Sequence, residues 1–258
     1  MRALTIETWG VRARLECDSS FVDGLDRLLL PTWKVRSDAE KDPLFRLYRD
    51  EDGFPAIDSP PLEILASHKS NPWSAFERRL HLYLATHARG CVYVHAGVVK
   101  WNGSALIFPG RTWSGKSTLV RALIEGGAIY MSDEYAIVDA DGMVYPFPRA
   151  LSLRNEDGSK DVRVVDSLEM WDGDSSPVPL GGVFCLSYKK GSPWSVKPVS
   201  QGEALLSLIA NTVSARAKTV LAIECFRRSL QRQGLALYAG VRAEAAEASR
   251  YILSLLTA

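Results

Sequence analysis

The sequence predicts an α/β protein in two parts, a small α+β module over residues 1–90 and a larger domain built around a P-loop over residues 91–258. Three observations support this prediction. A complete phosphate-loop pattern spans Gly110–Ser117, and it lies between a strand-like and a helix-like segment. The character of the chain also changes at Cys91, where short strand-like runs separated by turns give way to longer apolar, β-rich segments.

The phosphate-loop pattern G-x-x-x-x-G-K-[ST] is the most informative motif in the chain. Gly110 and Gly115 allow the backbone to fold tightly around a polyphosphate and to direct N–H groups toward it. In such a loop Lys116 reaches the β- and γ-phosphates, and the hydroxyl of Ser117 can hold Mg²⁺. The motif therefore predicts a nucleotide-binding protein. The predicted nucleotide contacts are Gly110, Arg111, Thr112, Trp113, Ser114, Gly115, Lys116, Ser117 and Thr118.

The composition is that of an ordinary soluble globular protein, with 47% hydrophobic and 24% charged residues among 258. A net charge of +1 gives no electrostatic reason to expect nucleic acid or an anionic membrane as a partner. The four cysteines are widely separated and form no C-x-x-C pair, as expected of reduced thiols. Because no secretory signal pattern and no run of about 18 apolar residues occurs, we expect a cytoplasmic protein without a membrane span.

The N-terminal module is expected to mix short strands with two helices. Asn71 before Pro72 is a strong helix start, because the asparagine side chain can cap the helix and proline suits its first position. The apolar stripe of that helix is predicted to be core rather than a ligand site. The expected elements are a strand or a hairpin broken at Gly10 over residues 3–15, strands near 44–48 and 62–66, and helices over 21–30 and 72–90. The stripe consists of Trp73, Phe76, Leu80, Tyr83 and Leu84.

The second part alternates strands and helices around the phosphate loop. A strand over 91–99 and a strand over 104–108 are joined by an Asn-Gly turn and lead into the loop. Residues 155–176 are polar and acidic, and we expect them to be loop-rich. The remaining expected strands cover 128–131, 135–138, 143–147, 182–188, 195–199 and 235–238, and the expected helices cover 117–125, 203–215, 219–233 and 243–256.

Chemistry at a phosphate loop needs a charged partner for the metal and a base for the attacking group. Asp133 and Glu134 are the best candidates, because they follow an apolar strand where side chains reach the ligand-binding edge of an α/β sheet. The alternative is a turn cap and a solvated side chain. His95, on an apolar strand, is either a core histidine or a site residue. Arg149 and Arg154 are either phosphate or peptide contacts, or solvated structural arginines.

Three of these motifs together resemble the HPr kinase/phosphorylase family. The family carries His-Gly-Val on a strand, a phosphate loop and an Ala-Asp-Asp motif, and this chain has His95-Ala96-Gly97-Val98, the loop and Ser132-Asp133-Glu134. The separations of 21 residues (116 − 95) and 17 residues (133 − 116) match the family pattern without gaps. The resemblance covers residues 91–140 well. It implies a P-loop-containing mixed sheet of the HPr kinase C-terminal-domain type.

The resemblance also implies roles for the site residues. Lys116 and Ser117 would bind the phosphates of ATP and Mg²⁺, and Glu134 would help to hold the metal. Asp133 would take the proton from a substrate serine hydroxyl, in addition to lying at the metal. His95 would lie beside the γ-phosphate as an electrostatic and orienting group. A homo-oligomer is among the assemblies that the resemblance suggests.

Departures from the family pattern point away from HPr as the substrate. The loop interior 111–114 is bulkier than the family's, and Ser152 replaces the glutamate of a signature segment in which Arg154 matches the arginine. The family's C-terminal segment has no visible counterpart. The chain more closely resembles HPr-kinase-related kinases that act on peptides, including those that phosphorylate the C-terminal serine of lasso-peptide precursors. The sequence therefore predicts a peptide serine kinase, with a genuine HPr kinase/phosphorylase and a non-catalytic nucleotide-binding regulator as alternatives.

Overall fold

The chain divides into two units, Met1–Gly90 and Cys91–Ala258. The computed structural model describes residues 1–36, 41–61, 71–110, 114–149, 151–153, 163–165 and 171–256, the two shortest ranges as backbone only. In the described part, each unit contains a mixed sheet and α-helices. The predicted α/β class is therefore confirmed.

The first unit contains a five-stranded sheet in the order β3-β1-β2-β4-β5. β1 and β2 form a hairpin whose turn residues, Trp9 and Gly10, have φ angles of 49° and 69°. These left-handed conformations suit the right-handed twist of a two-residue hairpin. The elements are β1 (Arg2–Thr8), β2 (Val11–Cys17), α1 (Val22–Leu28), β3 (Lys34–Arg36), β4 (Leu44–Arg49), β5 (Pro55–Asp58) and α2 (Pro72–His87), with a short 3₁₀ helix at Ser19–Phe21.

Helix α2 begins where the sequence predicts. The side chain of Asn71 accepts a hydrogen bond from the backbone N–H of Trp73, and Pro72 is the first helical residue. Most of the predicted stripe is buried: Phe76, Leu80, Tyr83 and Leu84. The predicted hairpin over 3–15 is confirmed, the predicted strand near 62–66 lies outside the described residues, and β5 was not predicted.

The second unit contains an eight-stranded sheet in the order β10-β9-β6-β7-β13-β15-β14, in which β8 also pairs with β6. The strands are β6 (Cys91–Trp101), β7 (Ser104–Pro109), β8 (Ile129–Ser132), β9 (Tyr135–Asp139), β10 (Met143–Tyr145), β11 (Leu151–Leu153), β12 (Arg163–Val165), β13 (Val178–Tyr188), β14 (Ser195–Pro198) and β15 (Ala236–Arg242). The helices are α3 (Lys116–Glu125), α4 (Gln201–Ala210), α5 (Thr219–Leu230) and α6 (Ala245–Ser254). In the described part of the chain, β11 and β12 form a separate two-stranded sheet.

This sheet is the middle layer of three. Along β6, Val92, Val94, Ala96 and Val98 belong to a core shared with α4 and α5. The next residue, Val99, belongs to a second core on the opposite face, shared with α3 and α6. Successive side chains of a strand point to opposite faces, so one strand supplies both cores.

Several elements differ from the sequence prediction. β13 begins at Val178, four residues before its predicted start, and β11 was not predicted. α4 ends at Ala210 rather than at residue 215, because the carbonyl of Asn211 and the N–H of Val213 hydrogen-bond instead to the backbone of β6 at His95 and Tyr93. β15 continues to Arg242, four residues past its predicted end, and lies between β13 and β14. β12 falls within the stretch 155–176 that was predicted to be loop-rich. Among the described residues, no helix has the length and apolar character needed to cross a membrane.

Two glycines have open space around them, so substituting each by alanine tests the backbone conformation without a steric clash. Gly103, in the turn between β6 and β7, has φ of 73° with no atom near its missing Cβ, whereas Gly202 lies inside α4 with only ordinary contact to Ser200. Gly103→Ala should lower the free energy of unfolding by about 1 kcal/mol, because alanine is strained at positive φ.

Gly202→Ala should instead raise the free energy of unfolding by about 0.5–1 kcal/mol, because alanine loses less conformational entropy in a helix. Denaturant unfolding of the two variants measures both changes. Effects of the same sign would contradict the backbone conformations assigned to these residues.

Candidate functional site

Two strands of the second unit end at the same edge of its sheet. β7 and β8 are both antiparallel to β6, with Ala96 paired to Pro109 and Val98 paired to Ser132. β7 and β8 therefore run in the same direction. Because their carboxyl ends coincide, the loop that follows Pro109 meets the acidic segment that follows Ser132.

In the described part of the phosphate loop, the backbone has a conformation that depends on its glycines. Gly110 follows β7, and Gly115, with φ of 79°, immediately precedes the first residue of α3, Lys116. This strand–loop–helix order directs the N-terminus of α3 into the loop, where backbone N–H groups and the helix dipole favour an anion. Arg111, Thr112 and Trp113 lie outside the described residues.

Two further features of the loop fit a bound polyphosphate. The Oγ atom of Ser114 is buried and has no hydrogen-bond partner among the described residues, so it is a ready donor to an anion. On β6, a Cβ atom at Gly97 would lie 2.6 Å from Cγ2 of Val120, so only glycine lets the strand approach α3 this closely. The close approach holds the first turns of α3 against the sheet.

The acidic segment interrupts an otherwise continuous strand. β8 and β9 both pair with β6, on either side of Asp133 and Glu134. At the interruption, the hydroxyl of Ser132 accepts hydrogen bonds from the backbone N–H groups of Glu134 at 3.1 Å and Tyr135 at 3.0 Å. These bonds to a side chain replace ladder bonds and take both carboxylates out of the regular strand.

Asp133 is a buried carboxylate beside the phosphate loop. Its side chain accepts a hydrogen bond from the hydroxyl of Ser117 at 2.9 Å and another from the hydroxyl of Tyr130 at 3.3 Å, and the residue is only 6% exposed. Burial raises the pKa of Asp133, while the nearby charge of Arg149 acts in the opposite direction. Ser117 and Asp133 are 16 residues apart in sequence, and they meet because β7 and β8 end at the same edge of the sheet.

Glu134 lies between two cationic or ionisable side chains. Its Oε1 atom is 3.4 Å from Nε2 of His95, and its Oε2 atom is 3.4 Å from Nη1 of Arg149. The side chain of Glu134 is 30% exposed, so it is far more accessible than Asp133. The predicted site residues His95, Glu134 and Arg149 are therefore brought together.

His95 also contacts the loop itself. Its Nδ1 atom is 2.7 Å from the carbonyl oxygen of Gly110, and its own carbonyl accepts the N–H of Gly110 at 3.1 Å. A carbonyl oxygen can only accept, so Nδ1 carries the proton in this contact. Its other ring nitrogen, Nε2, faces the carboxylate of Glu134 at 3.4 Å. His95 thus connects the loop to the acidic segment.

Lys116 is placed among these charges. Burial lowers the pKa of Lys116, and the charges of Glu134 and Asp133 partly offset that effect. Thr118 is exposed in the first turn of α3. The predicted contact Arg154 lies outside the described residues.

Two residues beside the site were not identified from the sequence. The hydroxyl of Tyr130 donates to the backbone carbonyl of Arg149 at 2.8 Å as well as approaching Asp133. Arg242, at the end of β15, donates from Nη2 to the carbonyl oxygen of Gly115 at 3.0 Å. Tyr130 reads as an apolar strand residue, and Arg242 lies 127 residues from its contact, so neither leaves a local motif in the sequence.

The oxygen atoms at this edge suit a magnesium ion. Mg²⁺ prefers hard oxygen ligands, and it is usually held by one or two carboxylates together with substrate phosphates and water. Ser117, Asp133 and Glu134 supply a hydroxyl and two carboxylates of this kind. Among the described residues there is no group of three or more His, Cys, Asp or Glu side chains able to hold a metal by themselves.

Comparisons with known proteins give similar solved structures but no family model and no curated relative. The solved structure of the HPr(Ser) kinase/phosphatase from Coxiella burnetii is similar at 12% identity with a TM-score of 0.34, over 64% of this chain and 93% of that chain. This similarity does not assign the chain to a family.

Because Asp133 is buried, we expect its ionised form to lower the stability of the folded protein. Because the folded-state pKa is raised, the folded protein holds this proton more tightly than the unfolded chain, and stability falls as the pH rises through the folded pKa. Asp133→Asn should therefore raise the melting temperature of the nucleotide-free protein at pH 7.5. The gain should shrink as the pH is lowered and Asp133 becomes protonated.

The matched control is Asp141→Asn, because the side chain of Asp141 is 82% exposed and makes only a loose contact with Arg228. Thermal unfolding between pH 5 and pH 8 compares the two variants. If the melting temperature of Asp133→Asn at pH 7.5 is lower than that of the wild type, the ionised Asp133 stabilises the fold instead.

Proposed function

We propose that this chain is a kinase that uses ATP and Mg²⁺ to phosphorylate a serine hydroxyl of a peptide. The observation that carries the proposal is the 2.9 Å hydrogen bond between Ser117 and Asp133. In P-loop enzymes a hydroxyl at the first turn of the helix and a carboxylate from a neighbouring strand act together on the metal of the nucleotide. A glycine-rich turn of another kind would have no need for this pair.

The loop would bind the triphosphate. The backbone N–H groups at the N-terminus of α3 would face the anion, and the hydroxyl of Ser114, which has no partner among the described residues, adds a donor. Lys116 would lie against the β- and γ-phosphates, where its charge balances theirs. A bound phosphate would also compensate the burial that lowers the pKa of Lys116.

The metal would be held by Ser117 and Asp133, with phosphate oxygens and water completing its shell. When bound, Mg²⁺ supplies positive charge that neutralises the triphosphate as the reaction proceeds. The protein's own contribution is to keep the hydroxyl and the carboxylate together. Tyr130 supports this arrangement by hydrogen bonding to the second oxygen of Asp133.

In the reaction, the serine Oγ would attack the γ-phosphorus while the bond from that phosphorus to the β,γ-bridging oxygen breaks. ADP leaves, and the serine proton passes to a base. The sequence assigns the base to Asp133 and the metal mainly to Glu134. The contacts support the reverse division, because the hydroxyl of Ser117 already donates to one oxygen of Asp133 and the residue is almost fully buried.

Glu134 is accessible to a substrate and is oriented by two neighbours. Its contacts with His95 and Arg149 orient the carboxylate. His95 also contacts the carbonyl of Gly110, so it sets the position of the carboxylate relative to the loop. A base must come within hydrogen-bond reach of the proton it accepts. We therefore propose Glu134 as the base, with His95 as its orienting partner and Arg149 as a group that can also meet the transferring phosphoryl group.

The peptide substrate rests on the sequence resemblance alone. A ribosomally made precursor of the lasso type is the proposed substrate, and a cytoplasmic location accompanies it. The genuine HPr kinase/phosphorylase and the non-catalytic regulator remain as alternatives. Arg154 as a peptide contact and a homo-oligomeric assembly stay predictions.

A phosphorylation assay separates the three functions. The protein is incubated with labelled ATP, Mg²⁺ and either a serine-terminated precursor peptide or HPr, and products are identified by mass spectrometry. Transfer to the peptide is expected, whereas transfer to HPr alone would favour the first alternative. ATP binding in calorimetry without transfer to either acceptor would favour the regulator.

Lys116→Ala is the matched variant for this assay, since the loop backbone survives the change. We expect at least about a hundredfold loss of activity in a protein that stays folded, because the buried ammonium no longer meets the phosphates. Unchanged ATP binding and turnover in Lys116→Ala would contradict the proposed binding site.

The two carboxylates can be distinguished by their dependence on Mg²⁺. Glu134→Gln should lower kcat by about 10²–10⁴-fold at saturating Mg²⁺, because it removes the base and keeps the shape. Asp133→Asn should mainly raise the Mg²⁺ concentration that gives half-maximal activity. Rates measured over a Mg²⁺ series decide the assignment, and the opposite pattern would restore Asp133 as the base.

A further inference from the structure

Arg242 is a buried arginine in direct contact with the phosphate loop. It is 3% exposed at the end of β15, and its guanidinium spans two backbone carbonyls. Nη2 donates to Gly115 at 3.0 Å and Nη1 donates to Ala243 at 3.1 Å. The planar guanidinium suits this task, because its N–H groups form a rigid fork.

Among the described residues, the guanidinium lies on an aromatic ring rather than directly against a carboxylate. Its carbon is 4.8 Å from the centre of the Tyr188 ring, and the charge of Glu244 acts on it from farther away. The hydroxyl of Tyr188 in turn donates to Glu244 at 2.9 Å. Buried charges are normally paired at close range, so a buried arginine whose carboxylate lies beyond an aromatic ring leaves room for an anionic ligand to add to its compensation.

The contact falls at the junction between the loop and α3. The carbonyl oxygen of Gly115 also accepts the N–H of Leu119 at 3.1 Å, which is the first helical hydrogen bond of α3. Gly115 has φ of 79°, and a Cβ atom there would collide with Nη2 of Arg242. A single guanidinium therefore fixes the carbonyl, the left-handed residue and the start of the helix.

We propose that Arg242 holds the phosphate loop in its anion-binding shape from behind and that a bound polyphosphate neutralises its charge. Arg242 is thus a positioning residue, since it acts through the backbone of Gly115. The inference deepens the proposed function and rests on it for the identity of the anion. It explains why an arginine, rather than an apolar residue, is buried at the end of β15.

The test compares Arg242→Met and Arg242→Lys with a matched control, Arg250→Met, which removes an exposed arginine from α6. Amide hydrogen exchange is measured without ligand, and affinity for inorganic tripolyphosphate is measured by calorimetry. In Arg242→Met we expect at least about tenfold faster exchange at residues 114–118 and at least about tenfold weaker tripolyphosphate binding. Exchange in β1 and β2, and both readouts in Arg250→Met, should match the wild type.

Arg242→Lys should fall between the wild type and Arg242→Met, because an ammonium keeps the charge but cannot span both carbonyls. A purely structural role would instead speed exchange throughout the second unit and lower the melting temperature without a local effect at the loop. Loop exchange and affinity equal to the wild type in both variants would overturn the proposal.

Two further outcomes are decisive as well. If Arg242→Met does not fold, Arg242→Lys carries the test, because it keeps the charge and loses the fork that spans both carbonyls. If the wild type binds no tripolyphosphate, the ATP-binding function and the charge neutralisation are both overturned. The exchange rates at residues 114–118 then still decide whether Arg242 fixes the loop.

Discussion

The backbone pairing of β6 positions every described part of the site. On one side it pairs with β7, and on the other it pairs with β8 and then with β9. The first pairing sets where the phosphate loop starts, and the second sets where Asp133 and Glu134 leave the ladder. Because both registers refer to the same strand, the loop and the carboxylates cannot shift independently. His95 lies on β6 itself and touches both.

The site brings together ionisable groups of both signs, and burial disfavours the charged form of each of them. Burial raises the pKa of Asp133 and lowers the pKa values of Lys116 and Arg242, so each group is held where its ionised form is disfavoured. A protein selected only for stability would replace such groups with apolar residues. The proposed ligand, which brings both phosphate oxygens and a divalent cation, would compensate charges of both signs around the loop.

Local patterns predicted much of this molecule, and long-range contacts account for what they missed. The Asn-Gly turn, the capped start of α2 and the strand–helix order around the loop depend on neighbouring residues, and the structure has them. The proximity of Asp133 to Lys116 was expected from the strand that precedes the acidic segment together with a family resemblance, whereas His95 contacts Glu134 rather than Asp133 among the described contacts. The end of β15 was missed because Gly240 breaks the apolar pattern, although its missing side chain is what allows close pairing with β14. Arg242 could not be assigned to the site from the sequence, because no pattern near it in the chain indicates a contact with Gly115.

The insertion of β15 between β13 and β14 has a consequence for the order of folding. β13 and β15 are parallel, and their first partners, Gly182 and Ala236, are 54 residues apart (236 − 182). Such non-local pairings close late, because the entropy of a long chain segment is lost before the contacts form. The contact between Arg242 and Gly115 therefore depends on two non-local pairings, that of β7 with β13 and that of β13 with β15. A partly folded chain in which β15 has not yet paired would hold the complete P-loop motif and still lack the guanidinium behind it.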